Sequence, residues 1–375
     1  MENSEIKILL TSDLHLGIEN SEVTIPEKAR LNTFRRIINL AREHDILLIA
    51  GDLIHDISVN REIMDIIRTE FISLRDNNID ILITPGPGEL TSNKTIASWL
   101  FDLRASYIFT SPEAAVPYTY TKNGQQIYFY GIPSSYSQDI AKIKKTAETG
   151  FHIGLFHVEF DIENTGPKES VFKLHKKNLK KLELDFYALG HNHNFKMFKV
   201  ADRIIGTYPG SPEAVSFNET GDRYVISISI KNDEIYHIKR LSVNSVKVCD
   251  STVNCSDPES QNAIFKVLDE HKGKNVILRL TLTGFRDYSI TEETINQYKE
   301  LYMDIILHDR SIPTLNSLIN QYATGSTIRG EFYKALQDDI TRNAVPSQVD
   351  LATMAELLHL ATEEGFERLE EWLCE

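Results

Sequence analysis

The sequence predicts an α/β protein: a layered domain of strands and helices, then a smaller α+β module, then a helical tail. Three observations lead there. Short apolar runs, Ile6–Thr11, Ile46–Ala50 and 79–84, read as buried strands. Between them the apolar residues recur at helical spacing. Histidines and carboxylates cluster where the apolar runs end, and such ends converge on one edge of a sheet. Strands alternating with helices indicate layers.

The elements follow in order. Residues 26–44 carry Leu31, Phe34, Ile37, Ile38 and Ala41 on one helical face, with Pro26 placed to open the helix. Residues 60–75 repeat this through Ile63, Ile67, Phe71 and Leu74. Further strands are expected at 127–131, 152–156 and 186–189, and a β-rich stretch at 197–239. A first domain over 1–240 results. The polar stretch 244–261 reads as a linker or an extended connection. Val276, Leu278, Leu280 and Leu282 alternate as a strand, and 290–307 reads as a helix and a further strand, which makes 241–312 a small α+β capping domain. In 313–375, Leu315, Leu318, Ile319 and Tyr322 form one helical stripe, and Phe332, Ala335 and Leu336 a second. Ser347 and Asp350 read as a capping box before Leu351, Met354, Leu357, Leu358 and Ala361; Phe366, Leu369 and Trp372 lie beyond Gly365.

A chain of 375 residues exceeds one ordinary core. The acidic start, Met1 to Glu5, does not resemble a signal peptide, and no apolar run reaches membrane-spanning length. Three cysteines without a CxxC spacing indicate neither a disulfide framework nor a zinc site, so a cytoplasmic setting with no membrane partner is expected. The net charge of −14 argues against a broad nucleic-acid surface but not a local one. Lysines cluster at Lys142, Lys144 and Lys145 and at Lys173, Lys176, Lys177, Lys180 and Lys181.

Five segments carry the chemistry: Asp13-Leu14-His15, Gly51-Asp52 with His55, Gly86-Pro87-Gly88-Glu89, His157, and Gly190-His191-Asn192-His193. Asp13 and His15, one residue apart, would point the same way from extended backbone and chelate one ion. A carboxylate at Asp52 has two oxygens and can bridge two cations, and Gly51 lets the chain turn beside it. His191 and His193 repeat the alternate spacing. Two carboxylates and four imidazoles suit a pair of divalent cations that activate a water against a phosphate ester.

The order D-x-H, GD, H, G-H-x-H resembles the calcineurin-like metallophosphoesterases. Asp13-Leu14-His15-Leu16-Gly17, Gly51-Asp52-Leu53-Ile54-His55 and Tyr208-Pro209-Gly210-Ser211 look like the SbcD-type DNA-repair nuclease subunits of that superfamily. The resemblance implies a β-sandwich flanked by helices. It implies a first metal on Asp13, His15 and His193, a bridge at Asp52, and a second metal on His157 and His191. It implies that His55 positions the DNA backbone, that the metal is usually Mn²⁺, and that the chain acts on DNA. It implies, too, helices at 330–375 that grip the coiled-coil base of an SbcC-like SMC-type ATPase, and a homodimer formed through the N-terminal helices.

One segment departs from the pattern. The family's GNH(D/E) is Gly86-Pro87-Gly88-Glu89 here. Pro87 has no amide to ligate the second metal, and Gly88 has no imidazole for a role typically worth about 10²–10⁴ in rate. Pro87→Asn with Gly88→His would raise activity if the loop keeps the family geometry. Glu89 is expected to be exposed and loop-stabilising. Three readings follow: a DNA nuclease subunit, a small-molecule phosphodiesterase, and a catalytically weakened structural or DNA-sensing subunit.

Overall fold

The computed structural model describes residues 5–56, 58, 60–93, 95–111, 116–147, 149–161, 173–175, 181–200, 202–288, 292–322, 330–335 and 338. The chain forms two compact units, Met1–Lys247 and Val248–Glu375.

The first unit is a mixed α/β sandwich. Its elements are β1 (Ile6–Thr11), α1 (Glu27–Ala41), β2 (Ile46–Ala50), α2 (Arg61–Asp76), β3 (Asp80–Thr84), α3 (Trp99–Asp102), β4 (Tyr107–Ile108), β5 (Tyr118–Lys122), β6 (Gln125–Ile132), β7 (Phe151–His157), β8 (Glu159–Asp161), β9 (Lys173–His175), β10 (Phe186–Gly190), β11 (Lys196–Val200), β12 (Arg203–Tyr208), β13 (Tyr224–Lys231) and β14 (Glu234–Ser242). One six-stranded sheet runs β14-β13-β1-β2-β3-β4 and the other β11-β12-β10-β7-β6-β5. In each, the central strands are parallel and the flanking hairpins antiparallel.

Alternation along the strands builds the layers. Ile6, Ile8 and Leu10 of β1 and Ile46 and Leu48 of β2 meet Ile127, Phe129, Ile153, Leu155 and Phe186 of the second sheet. Leu9, Leu47 and Ile49 point the other way, onto α1 and α2. Because both faces are covered, the central strands read as continuous apolar runs. Helix α1 buries Phe34, Ile37, Ile38 and Ala41, and Pro26 stands at its cap. Helix α2 buries Ile63, Met64, Ile67, Phe71 and Leu74, and the Asn60 side chain caps it by accepting from the Glu62 N–H at 2.9 Å. The outer face of the second sheet packs Tyr130, Phe156 and Tyr187 against Ile140, Ile143 and Leu184.

The second unit holds β15 (Lys247–Asn254), α4 (Ser260–Glu270), β16 (Gly273–Thr283), β17 (Phe285–Arg286), α5 (Glu292–Lys299), β18 (Tyr302–Asp309), β19 (Ile312–Pro313) and α6 (Leu315–Tyr322). The stretch 244–261, expected to be a linker or an extended connection, contains strand β15, an edge of the sheet β15-β16-β18. Its polar residues misled the pattern: an edge strand buries only Val248, Cys249 and Val253 and turns the others to solvent. Asp250 there pairs with the Arg279 guanidinium of β16 through two hydrogen bonds, at 2.9 and 2.7 Å. Val276, Leu278, Leu280 and Leu282 form the core with Ile264, Leu268 and Ile295. Cys249 and Cys255 are buried.

Residues 330–335 are helical, with Tyr333 buried. The apolar stripes at 351–372, Leu336 and the lysines at 176, 177 and 180 lie outside the described residues. No helix among the described residues is long and apolar enough to cross a membrane.

Candidate metal centre

The sequence-predicted residues meet where the parallel strands end. Asp13 and His15 follow β1, Asp52 and His55 follow β2, the turn Pro87–Glu89 follows β3, His157 ends β7, and His191 and His193 follow β10. The loops after β1 and β2 are stitched together by the backbone. The Asp13 N–H donates to Gly51 O at 3.0 Å, the His15 N–H to Asp52 O at 3.0 Å, and the His55 N–H to Leu16 O at 3.0 Å.

The backbone there is not extended, contrary to the expectation for Asp13 and His15. Asp13, His15, Asp52 and His191 have φ of 52°, 46°, 49° and 98°. This is the left-handed region, which non-glycine residues occupy at a cost of order 1–3 kcal/mol each, and it clusters at functional sites. Gly51 shares that region (φ 82°) and also has no room for a side chain. A Cβ on it would stand 2.3 Å from His157 Nδ1.

Two sets of donor atoms result. Asp13, His15 and His193 form one, and Asp13, Asp52 and His157 the other; within each set the atoms lie within 4.8 Å of one another. His15 Nε2 faces His193 Nε2 at 3.1 Å. His193 Nε2 lies 3.9 Å from Asp13 Oδ1. Asp52 Oδ2 lies 4.0 Å from His15 Nε2 and 3.5 Å from His157 Nε2, between the two sets. The His191 ring stands edge-on to His157, centroids 5.5 Å apart. His55 lies at the rim, its Nδ1 3.4 Å from His15 Nδ1.

Burial sets the protonation. It pushes His15 and His191 down to about 4, so both imidazoles are neutral and offer lone pairs. Burial raises Asp13 against the pull of His157 and His193. His157 Nδ1 is bonded to the Ala50 carbonyl at 3.0 Å, which leaves Nε2 buried with no hydrogen-bond partner. No lysine or arginine pairs with Asp13 or Asp52 among the described residues. A buried carboxylate pair faced by imidazoles instead of lysine or arginine, and an orphaned imidazole nitrogen, fit divalent cations, and mixed nitrogen and oxygen donors suit a transition metal.

The calcineurin-like phosphoesterase family model matches residues 6–195. The chain belongs to the calcineurin-like phosphoesterase family. This makes it a metal-dependent phosphoester hydrolase. The phosphoesterase is 25% identical over 306 residues to the uncharacterized metallophosphoesterase YhaO of Bacillus subtilis (strain 168), covering 75% of this chain and 72% of that protein. It is 26% identical over 227 residues to the DNA double-strand break repair protein Mre11 of Methanopyrus kandleri, covering 56% of this chain and 49% of Mre11.

Two further carboxylates support the donors, Glu89 of the 86–89 motif and Glu219, which no motif singled out. Glu89, expected to be exposed, is fully buried. It accepts from the N–H groups of Asp52, Ile54 and Gly86 at 3.1, 3.1 and 2.8 Å. Burial, with the Asp52 carboxylate nearby, pushes it up to about 8. Glu219 bonds His193 Nδ1 at 3.0 Å. Burial works upward on Glu219, but its bond to His193 prevails and holds it at about 2; His193 is raised in turn. Ser216-Phe217-Asn218-Glu219 has capping-box spacing, and the Ser216 hydroxyl donates to Glu219 Oε1 at 3.0 Å. That spacing was the available signal.

The bland reading of the other histidines agrees with two of them. His44 bonds Leu40 O and the Ser227 hydroxyl, each at 2.8 Å, and His152 bonds the Tyr130 hydroxyl at 3.0 Å.

Proposed function

We propose that this phosphoesterase hydrolyses phosphodiester bonds in DNA with two divalent cations, Mn²⁺ by preference, as the nuclease subunit of an SbcC-like SMC-type ATPase. The observation that carries the reading is the pair of adjoining donor sets that share Asp13, with Asp52 Oδ2 between them. Similarity to a protein named for DNA double-strand break repair supports DNA as the substrate. The apolar spacing of 351–372 supports the ATPase. A homodimer through α1 and α2 belongs to the same proposal.

Asp13, His15 and His193 would hold one cation, His157 and His191 the other, and Asp52 both. Bound cations supply Lewis-acid polarisation of the phosphoryl group and a water of lowered pKa. Neutral His15 and His191 themselves add no positive charge to repel them. His55, at the rim, would hold the phosphate by a hydrogen bond. Gly88 offers no side chain to protonate the leaving oxygen, so that proton comes from solvent. This favours a slow enzyme and keeps a weakened DNA-sensing subunit as the second reading.

The test is turnover with Mn²⁺ on double-stranded DNA, single-stranded DNA and a chromogenic phosphodiester, beside Asp52→Ala. DNA cleavage lost in the variant supports the proposal. Cleavage of the chromogenic ester alone points to a small-molecule phosphodiesterase, and DNA binding without turnover to the sensing subunit. Removing residues 345–375 should abolish co-purification with the ATPase and leave metal binding intact; retained co-purification would refute the partner assignment.

A further inference from the structure

We propose that Glu219 is a positioning residue that fixes the tautomer and aim of His193 for metal binding. The inference rests on the metal reading of the site. An ionised carboxylate only accepts hydrogen bonds, so the 3.0 Å contact to Glu219 Oε1 requires the His193 proton on Nδ1. The lone pair of the neutral ring then lies on Nε2. That is the atom 3.1 Å from His15 Nε2 and 3.9 Å from Asp13 Oδ1.

Glu219 is itself held in place, with 3% of its surface exposed. Its Oε2 accepts from the Ser211 hydroxyl at 2.5 Å and the Val215 N–H at 3.2 Å. Its Oε1 accepts from the Ser216 hydroxyl as well as from the imidazole. Arg223 secures the backbone side. Its Nη2 donates to His193 O, its Nη1 to Asn194 Oδ1 at 3.1 Å, and its Nε to Ser211 O at 2.9 Å. The ring and the carbonyl of His193 are thus held from one buried cluster, far along the chain from the other donors.

The two donor sets differ in this respect. His157 hands its Nδ1 proton to the neutral carbonyl of Ala50, whereas His193 hands its proton to a charged group. A carboxylate behind an imidazole makes it a stronger donor and locks its orientation, and loss of such support typically costs 10–100-fold in metal affinity.

The experiment compares full-length wild type with Glu219→Gln, which keeps the shape of the side chain and removes its charge. Both are labelled with ¹⁵N-histidine, prepared free of metal and studied at alkaline pH, where the His193 ring is neutral although its bond to Glu219 raises its pKa. Nitrogen chemical shifts report the His193 tautomer, calorimetric titration with Mn²⁺ alone reports affinity, and thermal melting reports the fold. The expected result is an Nδ1–H tautomer in wild type. In the variant, whose amide presents an N–H as readily as an oxygen, that tautomer is partly lost and the tighter Mn²⁺ affinity falls about 10–100-fold. A merely structural Glu219 would lower the melting temperature and leave tautomer and affinity alone. An Nε2–H tautomer in wild type, or unchanged Mn²⁺ affinity in the variant, overturns the proposal. Wild type that takes up no Mn²⁺ overturns the metal reading itself, and this is distinct from a wild type and variant that bind equally.

Discussion

The backbone N–H of Gly88 donates to Asp52 Oδ1 at 2.8 Å. Asp52 is thereby turned so that its other oxygen, Oδ2, faces His15 and His157. A Cβ at residue 88 would stand 2.2 Å from Ile54 O and 2.8 Å from His55 O, both backbone atoms. The turn after β3 is therefore built without room for a side chain there.

It follows that Pro87→Asn with Gly88→His should not raise hydrolysis, against the expectation drawn from the family motif. Even Gly88→Ala should destabilise the chain by about 1–3 kcal/mol through overpacking and weaken Mn²⁺ binding at Asp52. Thermal melting and Mn²⁺ titration check both. A double variant that gains activity at unchanged stability would show that the turn can adopt another path.

Glu89→Ala should leave the buried N–H groups of Asp52, Ile54 and Gly86 without their acceptor. Each orphaned donor costs about 1–3 kcal/mol, so a total loss above about 2 kcal/mol is expected in urea unfolding. Stability within experimental error of wild type would mean that water reaches these groups.

Mn²⁺ titrated into metal-free protein should fill two unequal sites. His15 and His193 complete one donor set with Asp13, while residue 87 supplies no amide to the other. Calorimetry should resolve a tight and a weak phase, and Asp52→Ala should weaken both, because Asp52 Oδ2 lies between the two sets. Two equally tight sites would show that another group completes the second.

Burial, and then Lys145 nearby, lowers the His152 pKa below its ordinary value of 6.5. The unfolded chain binds this proton first as the solution is acidified, so this contribution to stability is present above about pH 6.5 and is lost as pH falls towards the lowered folded value. His44, also lowered by burial, adds in the same direction. Melting temperatures of metal-free protein should fall between pH 7 and pH 5, and the slope should be shallower in His152→Phe. An equal slope in the variant would assign the acid sensitivity elsewhere.

The sequence by itself determined the layered α/β class and the gathering of Asp13, His15, Asp52, His157, His191 and His193 at strand ends. Both are local matters, since buried parallel strands need unbroken apolar runs and the strand ends carry short recognisable patterns. The reason Asp13 and His15 face one set was not legible. Alternation suggested extended backbone, whereas positive φ and the hydrogen bonds to Gly51 and Asp52 orient them. The polar edge strand Lys247–Asn254 read as a linker or an extended connection for want of a two-sided apolar pattern. Only the tertiary structure decided what lies behind the donors. Glu219 behind His193, Glu89 beneath Asp52 and the closed space at Gly88 depend on groups 26, 37 and 33 to 34 residues away. A hydrogen bond across such a separation leaves no periodicity in the chain, because its energy depends on burial and geometry that exist only after the sheets have packed.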